Sequence, residues 1–108
     1  MDLQITARHF DLTPDVKEYA EHRIIPLRRF FDKAIAAELV LMSQRYLNNA
    51  ELTFHLPGGP ISVSDEAKEI FESIDLVAEK MERQLKKRHD IIRNHRGKAR
   101  NEQITEVE

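Results

Sequence analysis

The sequence predicts an α+β two-layer sandwich of order β-α-β-β-β-α, a four-stranded sheet with both helices on one face. Two observations carry the prediction. Two stretches repeat apolar residues at helical spacings of three and four, and four shorter runs have strand-like apolar or alternating patterns. Turn residues punctuate the runs, most plainly in Pro57-Gly58-Gly59-Pro60. A chain of 108 residues suits one compact domain. Residues 1–96 are read as that domain and 97–108 as a polar, disordered C-terminal tail.

The first strand is expected at Leu3–Ala7, which alternates apolar and polar residues. Thr13 can cap the first helix and Pro14 suits its first position. Val16, Ala20, Ile24, Leu27 and Phe31 make one helical stripe, with Tyr19 and Phe30 beside it. Pro26 lies inside that stripe and removes a backbone donor, so it should kink the helix or shorten its last turn. Ala34–Gln44 reads as a strand partly buried on both faces. In Ala50–Leu56 residues 50, 52, 54 and 56 point one way and Glu51, Thr53 and His55 the other. After the Pro-Gly-Gly-Pro turn, Ile61 and Val63 point inward. The last helix is expected to be capped by Ser64 or Asp65, with Glu66, Glu69 and Glu72 in its early turns. Ile70, Ile74, Val77, Met81, Leu85 and Ile92 form its apolar face, widened by Phe71 and Ala78. Arg88 interrupts that face, so the helix should outrun the sheet there, and Gly97 should end it.

Composition excludes several classes. The chain has no Cys, which rules out disulfides and Cys-ligated zinc. No apolar run approaches the ~18 residues that a membrane span needs. The start, MDLQITARHF, has an acid at position 2 and no apolar core of a secretory signal. A cytoplasmic protein is the expectation.

Charge is unevenly placed. The formal net charge is −2, yet residues 80–100 hold nine Lys or Arg against two acids. Favourable interaction of cations with a helix C-terminus, ~0.3–1 kcal/mol each within the last turn, explains two or three of them. It does not explain nine, whose mutual repulsion a polyanion would relieve. At 100° per residue, Lys80, Arg83 and Lys87 fall on one flank of the apolar stripe and Lys86 and Arg93 on the other. Arg23, Arg28, Arg29 and Lys33 could extend the same surface from the first helix. Phosphate backbone is the natural partner for such a surface. No aromatic-rich strand pair, helix-turn-helix spacing or zinc pattern is present, which favours structured RNA over sequence reading and over DNA. The rival expectation is a regulator docking its basic helix on an acidic protein partner.

No catalytic constellation emerges. His9, His22, His55, His89 and His95 are scattered and make no metal-ligand pair, so no metal or cofactor is expected. Glu51 and His55 share a strand face but stand about 13 Å apart along it at ~3.3 Å per residue. Gly58-Gly59 is a turn, since no helix and no Lys-Ser/Thr follows as in a phosphate loop.

Two stretches carry a resemblance: LQITARHFDLTPDVKEYAEHRI at the start and PGGPISVSDEAKEIFESIDLVAEKMERQLKK towards the end. With the element order, they resemble the ribosome hibernation promoting factor family over about residues 1–96. That family includes ribosome-associated inhibitor A and proteins labelled sigma-54 modulation protein. The most specific part is IDLVAEKMERQLKK. The resemblance implies a non-catalytic protein with no small-molecule substrate, bound to the small ribosomal subunit in the channel shared by messenger and the A- and P-site transfer RNAs. There it would block initiation and keep idle ribosomes intact, and it would be a monomer off the ribosome. By position, Lys80, Arg83 and Lys87 match rRNA-facing bases of the family's second helix, and Arg23 and Arg29 match bases on the first. Lys86, Arg88 and Arg8 are added from charge alone. Two features depart from the family: Pro26 stands at a position often charged or helix-favouring, and Ile70-Phe71 replaces an acidic-Met-Tyr phrase. The resemblance also implies a short form without the second, dimerisation domain of long members.

Overall fold

The computed structural model describes residues 1–31, 33 and 35–97, with side chains to residue 88. In order these are β1 (Asp2–Arg8), α1 (Pro14–Ile24), a 3-10 segment (Ile25–Phe30), β2 (Ala36–Ser43), β3 (Asn48–His55), β4 (Ile61–Ala67) and α2 (Ile70–Gly97). The sheet runs β1-β2-β3-β4. β1 is parallel to β2, and the other pairs are antiparallel. A parallel pair needs a crossover, which α1 and the 3-10 segment supply.

Period-two alternation decides which residues meet the helices. Ile5, Leu39, Leu52 and Val63 stand in one cross-strand row on the helix side. Thr6, Val40, Glu51 and Ser64 form the neighbouring row on the open side. The buried core joins Leu39, Leu41, Leu52 and Phe54 of the sheet to Val16, Ala20, Ile24 and Leu27, and to Ile74, Val77, Met81 and Leu85 of α2. Phe54, fully buried, meets Phe31 edge to face at 6.0 Å between centroids. Such a pair adds ~0.5–1.5 kcal/mol beyond area burial. The chain has no Trp, and this core is mostly aliphatic.

Pro26 acts as its chemistry requires: the α-helix stops at Ile24 and the chain continues as a 3-10 helix, with Leu27 still buried. Thr13 occupies the N-cap position with extended backbone, but its hydroxyl does not cap. It donates instead to the Asp15 carboxylate, which lies below its ordinary carboxylate range for that reason. At the hairpin, the Gly59 amide donates to the Leu56 carbonyl at 3.0 Å, and Gly58 takes φ +91° after Pro57. That is the type II arrangement, Pro first and a positive-φ Gly second.

The cap expected at Ser64 or Asp65 is not there. Both lie within β4, which pairs with β3 as far as Ala67. The β ladder prevails over the local capping signal because Asn48 through Phe54 offer paired partners along the whole segment. α2 begins at Ile70, where the Glu69 carbonyl accepts from the Ser73 amide. Of the three early acids, only Glu72 is in the first turn. Ser73 is fully buried, and its hydroxyl donates within the helix to the Glu69 or Ile70 carbonyl. The strands also differ slightly in extent from expectation, β2 starting at Ala36 and β3 at Asn48.

α2 runs 28 residues, about 42 Å at 1.5 Å per residue. An eight-residue strand spans only ~26 Å. The helix therefore outruns the sheet, as Arg88 on its apolar face suggested. The side chains of Ile92 and Arg93, and residues 98–108 with Lys98, Arg100 and most of the expected tail, lie outside the described residues.

Candidate nucleic-acid interface

The apolar stripe of α2 sets where its cations go. With Ile74, Val77, Met81 and Leu85 against the sheet, helical geometry carries Arg83 and Lys87 out to the far side, one turn apart. Both are exposed, as is Lys86 on the other flank. None of the three makes an ion pair with a described carboxylate. Lys80, on the same flank as Arg83, reaches the sheet edge. Its Nζ lies 3.2 Å from Asp65 and donates to the Ser64 carbonyl at 3.0 Å. The Asp65 carboxyl is held below its usual range, first by the Glu66 amide and then by Lys80.

The α1–α2 seam uses two more predicted cations. Arg23 Nε donates to the Asp75 carboxylate at 2.7 Å, and the Tyr19 hydroxyl donates to the same oxygen at 2.6 Å. The Asp75 carboxylate raises the Arg23 pKa, and as acceptor it raises that of the Tyr19 phenol. Tyr19 also meets Phe71 edge to face at 5.1 Å. At the 3-10 segment, Arg29 Nη2 donates to Glu82 at 2.9 Å while its guanidinium lies 4.6 Å from the Phe30 ring centre. Arg88 Nη1 donates to the Gly59 carbonyl at 2.8 Å, tying the far part of α2 to the β3–β4 turn.

The predicted residues thus separate by partner. Arg23, Arg29 and Lys80 are each paired with a carboxylate, and Arg88 with a carbonyl. Arg83, Lys86 and Lys87 present their charge outward. The helices do pack side by side, and Arg28 and Lys33, both exposed, follow α1 towards the end where Arg88 meets the hairpin. Arg8 is elsewhere: it is exposed on the open sheet face, across from Met42 at the opposite end of the strands. Charge counting missed the carboxylates that take up the inner cations. The signal was available, since Asp75 and Glu82 are seven residues apart on one helical flank and Tyr19 and Arg23 are four apart on another. Turning Asp75 and Glu82 toward α1 leaves the outer ridge of α2 more positive than its composition implies.

The open sheet face has the opposite balance. Asp2, Glu38, Glu51 and Glu66 are exposed, with Arg8 and His55. His55 approaches Glu38 across the strands at 3.9 Å rather than Glu51, and Thr53 shares a hydrogen bond with Ser62 at 2.8 Å. The depression between α1 and α2, lined by Asp15, Glu18, Tyr19, His22 and Phe71, opens to solvent. Among the described residues, no group of three His, Asp or Glu is placed to hold a metal ion, and no helix is long and apolar enough to cross a membrane.

The geometry has close counterparts. The profile of the family described as "Sigma 54 modulation protein / S30EA ribosomal protein" matches residues 3–93. The ribosome hibernation promoting factor of Klebsiella oxytoca is 30% identical over 95 residues, covering 88% of this chain and all of that protein. The crystal structure of the Protein Y N-terminal domain from Thermus thermophilus aligns at TM-score 0.75 and 28% identity, over 80% of this chain and 97% of that one. A ribosomal subunit interface protein from Coxiella burnetii shares the fold at TM-score 0.70 and 24% identity, over 81% and 96% of the two chains.

Proposed function

Because the chain belongs to the sigma 54 modulation protein / S30EA ribosomal protein family, we propose that it is a ribosome hibernation factor. It binds the small ribosomal subunit in the channel shared by messenger and the A- and P-site transfer RNAs, and inhibits translation by occupying it. The names of its relatives support the hibernation role. One observation carries the assignment to RNA: Arg83, Lys86 and Lys87 point outward from α2 while the acids Asp75 and Glu82 are taken up by α1. Repulsion among clustered cations is relieved by phosphates, and counterion release then supplies affinity without sequence reading.

The cations divide the work. Arg83, Lys86 and Lys87 contact rRNA phosphates directly. Arg23, Arg29 and Lys80 hold α1, α2 and β4 in register and add their field, and Arg88 braces the hairpin beside the contact. The acidic open face is repelled by RNA and so turns the helix side inward. The folded body then excludes messenger and transfer RNA. This mode is non-catalytic, needs no cofactor, and fits a cytoplasmic monomer off the ribosome.

Replacing Arg83, Lys86 and Lys87 by Glu and sedimenting with small subunits in low salt tests the reading. Loss of co-sedimentation is expected. Unchanged co-sedimentation removes those residues from the contact. Saturable binding to a single acidic protein, insensitive to ribonuclease, would favour a protein-docking regulator instead.

A further inference from the structure

The β2–β3 hairpin tip stands apart from everything described above. Tyr46 is 79% exposed there and Leu47 38%, the two large hydrophobic side chains found exposed among the described residues. The loop itself does not ask for them. It is closed by the Gln44 amide donating to the Leu47 carbonyl at 2.8 Å, leaving Arg45 and Tyr46 as its two central residues. Two-residue hairpin loops favour Asn-Gly or similar pairs with positive φ. Neither Arg45 nor Tyr46 takes positive φ, and an exposed phenol ring gains nothing from burial.

The surroundings of the ring are cationic. The Arg45 guanidinium lies 6.0 Å from the Tyr46 ring centre. Arg8 is paired in register with Met42, just before the turn. The Asn48 side chain donates to the Lys68 carbonyl at 2.7 Å, which brings exposed Lys68 alongside the hairpin. The register also sets Glu66 across from Asn49, so the frame is not purely basic. An exposed ring with one guanidinium over it at 6.0 Å leaves its other face to solvent, an arrangement on which an unpaired base can stack while its phosphate is neutralised.

We infer that the Arg45–Tyr46 tip is a second RNA contact, in which Tyr46 stacks on an unpaired base of ribosomal RNA and Arg45 meets its backbone. The inference rests on the ribosomal reading above. Asn48 and His55 bound β3, so this contact lies a strand length, ~25 Å, from the end where Arg88 meets Gly59.

Tyr46→Trp would give the chain its sole tryptophan and a reporter at the tip. On titration with small ribosomal subunits, its emission is expected to be quenched, as for an indole stacked on a base. Tyr46→Ala should bind roughly 5- to 100-fold more weakly at fixed salt, with an unchanged salt slope, and Tyr46→Phe should retain affinity. Unaltered emission on a subunit that demonstrably binds the Tyr46→Trp chain would overturn the inference. So would enhanced emission with a blue shift and no quenching, which would seat the ring in a protein pocket, or full affinity of Tyr46→Ala. If the unsubstituted chain fails to bind subunits, the ribosomal reading itself falls. Binding with a silent tip refutes only the second contact.

Discussion

Neutralising the outer ridge of α2 gives a quantitative test of how the charge is used. Arg83→Gln with Lys87→Gln removes two cations that are exposed and make no ion pair with a described carboxylate, and Gln keeps nearly the same helix propensity. Each phosphate contact contributes roughly −0.7 to −0.9 to the slope of log affinity against log salt. The double variant should therefore flatten that slope by about 1.4–1.8. Between about 50 and 200 mM salt, the original chain would then lose some 7- to 12-fold more affinity than the variant. Quantitative sedimentation with small subunits across that range is the assay. Stability should stay within about 0.5 kcal/mol, since both sites are at the surface. Arg23→Gln gives the contrast: it breaks the seam with Asp75, so it should lower stability and change the salt slope much less. Parallel salt lines for the double variant and the original chain would refute the reasoning. So would a larger slope change from Arg23→Gln than from the double variant.

Other parts of the structure make their own predictions. Asp75→Ala strands both Tyr19 and Arg23 and should cost about 1–2 kcal/mol in chemical denaturation, at the modest end because the pair is about a third exposed. A loss below 0.3 kcal/mol would remove Asp75 as the clasp between the helices. In spectrophotometric titration at 295 nm, the Tyr19 phenol should ionise above its ordinary value near 10, because it donates to a carboxylate. Its folded-state pKa being raised, its contribution to stability is present in full below the unfolded value of ~10 and fades as pH rises through the folded one. Loss of the delayed phase in Asp75→Ala would identify it. Phe54→Ala should destabilise by about 3–5 kcal/mol, because the ring is fully enclosed between sheet and helices. A cost under 1 kcal/mol would contradict that enclosure.

Much of the fold was legible in the sequence because its elements are strongly periodic. Leu52 and Phe54 alternate with Thr53 and His55, and Ile74, Val77, Met81 and Leu85 recur every three or four residues, so burial follows from spacing. Pro26 and the Pro57–Pro60 turn act through local chemistry that tertiary context does not override. The misplaced start of α2 shows where local reading stops. Ser64 and Asp65 carry capping side chains, yet a ladder with β3 holds them extended, and that ladder depends on residues a dozen positions upstream. The site divides in the same way. The exposed ridge at Arg83, Lys86 and Lys87 follows from helical geometry alone. The pairing of Arg23 with Asp75 and of Arg29 with Glu82 requires knowing how one helix crosses the other, and the tip at Tyr46 carried no periodic signal at all.

The parallel pairing of β1 with β2 bears on the order in which the molecule assembles. Residues 9–35 separate those strands, whereas residues 44–47 separate β2 from β3. Closing the longer connection costs about 1.7 kcal/mol more in chain entropy on a logarithmic scale of loop length. We therefore expect the β2–β3–β4 meander to nucleate folding and β1 to dock late, with φ-values low at Ile5 and higher at Leu39 and Leu52. The reverse pattern would reject that sequence of events. During synthesis the first strand leaves the exit tunnel ahead of its only neighbour in the sheet. Its edge therefore stays without a sheet partner until the residues of the second strand have followed.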